Sequence, residues 1–203
     1  FVTMGFYVSA IQAAATTCIR AGGICIYDTR VNAADALSKY GITHMLFLLH
    51  SLMQVLVSLP EDYVKPANLR LLTIGLAVSE VVRTRVLHAH ASHFSETYGA
   101  NECSTISTMN EEGLGVLLPG VDVETVNDGD EPVVVEPGWI RVRSSGCVSG
   151  YINNPKATQK IFKNGWFYPG DVGVLKDHRM LKLIGRADDL LNIRGDQIRA
   201  ARD

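Results

Sequence analysis

Apolar positions change their spacing part-way along this chain. Over the first hundred residues they come in helix-spaced or contiguous blocks. From about Gly113 they come in short runs cut by turn residues. Residues 6–21 are apolar and Ala-rich and stop at Gly22-Gly23, which predicts a buried helix with a glycine end. Ile24-Cys25-Ile26-Tyr27 predicts a short buried strand closed by Asp28. Within 32–40, Ala33, Ala36, Leu37 and Tyr40 share one helical face, and Gly41 follows. Residues 42–59 are almost continuously apolar, the length of a membrane span. His44, His50 and Gln54 interrupt the run, which reads better as a strand followed by a helix from about His50. Residues 69–75 predict a strand entering a glycine turn, 80–92 a helix, and 94–97 another short strand. Such alternation predicts a parallel sheet covered by helices.

The second pattern is different. Short β-rich runs at 121–126, 133–135, 139–143, 172–175 and 181–184 are separated by Asp128-Gly129-Asp130, Pro137-Gly138, Asn153-Asn154-Pro155 and Lys163-Asn164-Gly165. They predict a small antiparallel barrel or sheet with one short helix after Asn154-Pro155. Residues 186–194 are charge-dense and read as a linker. The expected organisation is an α/β subdomain over 1–112, a β-barrel-like subdomain over 113–185, and a hinge with the start of a further domain over 186–203.

Composition narrows the function classes. Lys+Arg of 19 against Asp+Glu of 21 leaves a net charge of −2, so no global charge draws the chain to nucleic acid or anionic lipid. Cys18, Cys25, Cys103 and Cys147 form no CxxC pair, which argues against a zinc site or a disulfide framework and for a reducing, cytoplasmic setting. The chain opens on Phe1 without a basic leader and is expected to be an internal piece of a longer polypeptide.

Several constellations could carry chemistry. Tyr98-Gly99-Ala100-Asn101-Glu102 would let backbone approach a planar ligand while a ring stacks on it, and its carboxylate suits a hard cation. Pro169-Gly170 makes a tight turn that presents Asp171, a residue type suited to vicinal hydroxyls; the alternative is an Asp capping its own turn. Arg186, in Gly185-Arg186-Ala187-Asp188-Asp189, could donate to phosphate or hydroxyl, or belong to a solvated linker. His88, His90 and His93 are close together, and a polar helix end is favoured there over a metal site. No His is placed to activate Cys103, which reads as a structural thiol. Gly113-Leu114-Gly115 leads to no helix and fails as a dinucleotide loop, and no GxxxxGK[ST] is present.

Taken in order, Gly75-Leu76-Ala77-Val78-Ser79, Tyr98–Glu102, Val148-Ser149-Gly150-Tyr151, Gly165–Asp171 and Gly185–Asp189 resemble the adenylate-forming superfamily of acyl- and aryl-CoA synthetases, luciferases and peptide-synthetase adenylation domains. The resemblance implies an acid-thiol ligase that uses ATP and Mg²⁺ to form an acyl-adenylate, then passes the acyl group to coenzyme A or a carrier-protein pantetheine. It implies that Gly75, Leu76 and Ala77 line the adenine, that Tyr98 stacks on it beside Gly99 and Asn101, and that Glu102 helps hold Mg²⁺. It further implies that Asp171 binds the ribose hydroxyls, that Arg186 contacts ribose or phosphate, and that Asp188 is a hinge. His50 and Ala100 would lie at the acid pocket, whose apolar surroundings suit an aryl or aliphatic acid.

Asn101, Pro169 and Gln197 depart from the superfamily's usual Thr, Thr and basic residue. The superfamily's phosphate loop is expected upstream of Phe1 and its distal catalytic Lys downstream of Asp203, so this chain alone is expected to bind adenosine weakly and turn nothing over. A peptide-synthetase-type adenylation domain and a non-catalytic nucleotide-binding scaffold are the alternatives.

Overall fold

The computed structural model describes residues 1, 5–28, 32–75, 78–187, 190–193 and 196–199. The chain divides into two compact units, Phe1–Asn101 and Glu102–Asp203.

In the first unit, helices α1 (Ser9–Arg20), α2 (Ala33–Tyr40), α3 (Leu49–Ser58) and α4 (Glu80–Ala89) accompany strands β1 (His44–Leu48), β2 (Arg70–Ile74) and β3 (His93–Ala100). The strands run parallel in the order β1-β2-β3, with His44, Arg70 and His93 in register. Met45 and Phe47 of β1 pack with Leu52, Leu56, Leu71 and Val86. Leu46, between them, packs with Ile11 of α1. Both faces of the strand are therefore covered, which is why Met45-Leu46-Phe47 is a contiguous apolar run. The 42–59 stretch divides between β1 and α3. Among the described residues no helix is long and apolar enough to cross a membrane.

Local signals set the helix ends. Asn32 caps α2 by accepting from Asp35 N–H at 2.8 Å, and Ser79 caps α4 by accepting from Val82 N–H at 3.4 Å. Residues 24–27 differ from expectation. Only Tyr27 forms a bridge, Ile24 is exposed, and Cys25 and Ile26 pack on the core as an extended connection. Four apolar residues are too few to distinguish a strand from a half-buried loop.

The second unit contains β4 (Ser104–Met109), β5 (Gly115–Leu117), β6 (Val121–Val126), β7 (Pro132–Val133), β8 (Gly138–Ser144), α5 (Pro155–Ile161), β9 (Phe162–Lys163), β10 (Trp166–Phe167), β11 (Asp171–Asp177) and β12 (Met180–Arg186). The order is β4-β5-β12-β11-β8-β10-β9; β6 also pairs with β8, and β7 with β6. These pairings are antiparallel. Along β8, Ile140 and Val142 are buried while Trp139 and Arg143 are exposed, the alternation of a sheet with one covered face.

Two features depart from the sequence reading. Residues 190–193 and 196–199 form a hairpin, β13 (Leu190–Ile193) with β14 (Asp196–Arg199), so the linker expected over 186–194 contains a strand. Charge density describes side chains and leaves backbone pairing open. Cys103 and Cys147, 44 residues apart, are joined as a disulfide, so Cys103 is not a free thiol. Spacing along the chain carries no signal for a bond that folding creates.

Candidate functional site

In the first unit the candidate residues cluster at the C-terminal ends of β2 and β3. Chain leaving a parallel strand at that end is the usual location for ligand contacts in α/β folds. Gly75 follows β2 with φ of +115°, a conformation that side chains rarely adopt, and its N–H donates to Thr97 O at 3.2 Å. Tyr98, the next residue of β3, is buried. Gly99 and Ala100 are half-buried and finish the strand. Asn101 Oδ1 accepts from Ser9 N–H at 3.0 Å. That bond satisfies one of the unpaired donors at the start of α1, where Val8 supplies no side-chain cap. Leu76 and Ala77 lie outside the described residues, as does the side chain of His50, whose backbone belongs to α3.

Glu96 and Arg83 were missed by sequence reasoning. Glu96 is 2 % exposed and ion-paired to Arg83 of α4, and its Oε2 accepts from Val78 N–H at 2.7 Å. The available signal was an acidic residue on β3 two positions before Tyr98, in a strand that the preceding pattern buries.

The second unit holds two further groups. Asp171 opens β11 opposite Arg186, which closes β12. Asp171 is 6 % exposed, and its Oδ1 lies 3.4 Å from Arg186 Nη1. The same Nη1 donates to Pro169 O at 2.8 Å, and Ala187 N–H donates to Gly170 O at 3.0 Å. Gly170 has φ of +82°, which lets the Pro169-Gly170 turn deliver Asp171 into the strand. A carboxylate held beside a guanidinium at a strand end combines a diol acceptor with a cationic donor. Asp188 lies outside the described residues.

Glu102 forms the other group. Its carbonyl accepts from Val148 N–H at 2.8 Å, and its Oε1 accepts from Tyr151 Oη–H at 2.6 Å. The Cys103–Cys147 disulfide joins the adjoining residues. Shielding from water, and the neighbouring Glu102 carboxylate, push the Tyr151 phenol up to about 12. Tyr151 therefore remains a hydrogen-bond donor throughout the neutral range. The Val148–Tyr151 motif is thus the clasp on Glu102, a role that its sequence did not reveal.

A carboxylate has about four acceptor sites, and Tyr151 occupies one, so Glu102 fits as a single ligand of a hard divalent cation. Among the described residues no group of three or more His, Cys, Asp or Glu could enclose a metal. One carboxylate plus substrate phosphates is the usual arrangement for Mg²⁺. The histidines form no such group. His90 lies half-buried with both ring nitrogens unpartnered, and removal from water lowers its pKa.

The first unit is thus a parallel α/β layer with polar groups at its strand ends, and the second an antiparallel sheet bearing an Asp–Arg couple. Known proteins supply the family. The family model for "AMP-binding enzyme" matches residues 1–152, and the chain belongs to that family. A long-chain-fatty-acid–CoA ligase from Escherichia coli O157:H7 is 30% identical over 129 residues, covering 60% of this chain and 23% of the ligase. A 2-succinylbenzoate–CoA ligase from Bacillus velezensis is 26% identical over 205 residues, covering 95% of this chain and 41% of that protein. The unliganded O-succinylbenzoate coenzyme A synthetase from Bacillus subtilis superposes with a TM-score of 0.79 at 21% identity, over 98% of this chain and 45% of that one. The same synthetase in complex with ATP and magnesium ion gives 0.76, over 97% and 45%. The chain thus spans less than half of each of these relatives.

Proposed function

We propose that the protein carrying this chain is an ATP-dependent carboxylic acid:CoA ligase, acting on an aryl or aliphatic acid. The observation that carries the reading is the Asp171–Arg186 couple, a buried carboxylate beside a guanidinium at paired strand ends. Asp171 would accept from the ribose hydroxyls while Arg186 donates to ribose or phosphate. In the first unit, Gly75 would bring backbone against the adenine and Tyr98 would stack on it. Ala100 would border the acid, together with His50. A Mg²⁺ ion, held by Glu102 and the phosphates, would offset charge on the polyphosphate.

The chemistry needs no protein nucleophile. A substrate carboxylate oxygen attacks the α-phosphorus and pyrophosphate leaves. A thiolate sulfur then attacks the acyl carbon and AMP leaves. The chain's part is to bind, orient and stabilise developing charge. On the same reading the antiparallel strands of 113–185 form a small barrel-like subdomain and Asp188 is a hinge; the Cys103–Cys147 disulfide removes the cysteine argument for a reducing, cytoplasmic setting.

Carboxylate-dependent ATP–pyrophosphate exchange tests this, with aryl, fatty and amino acids assayed separately on the protein containing this sequence. Exchange with aryl or fatty acids is the expected result. Exchange with amino acids alone would favour a peptide-synthetase-type domain. Asp171→Ala should weaken AMP binding roughly tenfold or more, the scale of a lost hydrogen bond to a charged group. The Asn101–Ser9 bond favours a second reading, a non-catalytic nucleotide-binding scaffold, because that side-chain oxygen is already engaged within the fold. AMP binding without any exchange would select it.

A further inference from the structure

We infer that Glu96, held by Arg83, is a positioning residue for the base of the nucleotide; this rests on the adenylation reading above. Two consecutive residues of β3 secure the two ends of the segment that leaves β2. Thr97 O accepts from Gly75 N–H at 3.2 Å, and Glu96 Oε2 accepts from Val78 N–H at 2.7 Å. The residue after them is Tyr98, the proposed stacking ring. The loop edge and the ring of one base-binding surface therefore hang from three successive positions of one strand.

The carboxylate is itself fixed. Arg83, one turn into α4, pairs with Glu96, and its Nε lies 3.7 Å from Glu80 Oε2 on the same helix. Ser79 connects the segment to α4 and caps it. Strand, loop and helix thus converge on one carboxylate that is 2 % exposed. A buried ion pair is weak evidence for stability, since apolar replacement is often neutral. What an apolar pair cannot supply is the acceptor for Val78 N–H. Its role is therefore read in geometry and ligand preference.

The test compares two double variants of the full chain. Arg83→Met with Glu96→Leu removes both charges and the acceptor. Arg83→Met with Glu96→Gln removes the charges and keeps an acceptor. Amide hydrogen exchange at Val78 is followed by NMR, and AMP is titrated beside ribose 5-phosphate, which has no base. The Leu variant should lose Val78 protection and about tenfold or more in AMP affinity, with ribose 5-phosphate changed by less than about twofold. The Gln variant should retain Val78 protection and AMP affinity to within about threefold.

A folded Leu variant with wild-type Val78 protection overturns the inference, and so does equal weakening of both ligands in the Leu variant. If wild-type protein binds neither ligand, the nucleotide reading falls and the positioning role falls with it. Val78 exchange then reports separately whether Glu96 still holds the segment.

Discussion

The first unit holds a buried ion pair between a parallel strand and a helix, whereas the second spreads paired charges across an antiparallel sheet, from buried Asp171 to exposed Arg143. Glu96 of β3 and Arg83 of α4 have side-chain exposures of 3% and 12%. In the second unit, Arg141 bonds Glu124 through Nε at 2.8 Å and Nη2 at 2.5 Å, and Tyr168 Oη at 3.2 Å. Arg143 pairs with Asp122 at 3.2 Å in an exposed position. Both guanidiniums lie over the Trp166 ring, at 4.8 and 4.4 Å from its centroid. The contrast follows from sheet type. A parallel sheet covered on both faces leaves a charge nowhere to reach water, so it must pair. A sheet with one open face lets Arg143 cover aromatic surface and keep its head near solvent, while the more buried Arg141 relies on Glu124 and Tyr168. The first unit should accordingly respond to packing and the second to cross-links and rim contacts.

Four measurements sharpen this difference. Both tryptophans, Trp139 and Trp166, lie in the second unit, so their fluorescence reports that unit. Among the described residues, four of the five helices lie in the first, so far-UV circular dichroism is weighted towards it. Phe47→Ala empties a fully buried site of the first unit and should cost about 4 kcal/mol. The loss should appear as an earlier urea transition by circular dichroism; unchanged dichroism midpoints would break the packing half of the contrast.

Reduction of Cys103–Cys147 releases a tie between residues 44 apart and should cost about 3 kcal/mol. That loss should be read by tryptophan fluorescence with and without reductant. Glu124→Gln weakens one pairing of a partly exposed network and should cost about 1 kcal/mol by the same probe.

The smallest effect is the pH dependence of Tyr151. Its folded pKa is raised above the unfolded value near 10, to about 12. The contribution is therefore complete below pH 10 and is lost as pH rises through 12. Burial also raises Tyr63 and Tyr168, so ultraviolet titration should find several late phenols, with the one near 12 absent in Tyr151→Phe and shifted towards 10 in Glu102→Gln. A Glu102→Gln protein whose phenol stays near 12 would show that burial alone, and not the Glu102 carboxylate, sets the shift.

Much of this architecture was legible before any coordinates. Periodicity located α2, the polar interruptions of 42–59 divided that stretch into β1 and α3, and the alternation of helix and strand announced a parallel sheet covered by helices. Turn residues marked the antiparallel strands after Gly113. Strand β4 was silent because Ser104-Thr105-Ile106-Ser107-Thr108-Met109 has little apolar periodicity, and its burial depends on neighbours distant in the chain. Of the candidate residues, Asp171 and Arg186 could be named singly, but 15 residues separate them and only strand pairing makes them partners.

Residue order along the chain was enough to set local backbone preference and the face each element buries, because both depend on neighbours within a few positions. It also carried the motif series that placed the chain in its family. The clasp of Tyr151 on Glu102, the Cys103–Cys147 bond and the Glu96–Arg83–Val78 connection belong to the tertiary structure. Each joins side chains or backbone groups that periodicity treats as unrelated, and each exists because strand pairing and helix packing remove water from groups that must then find partners.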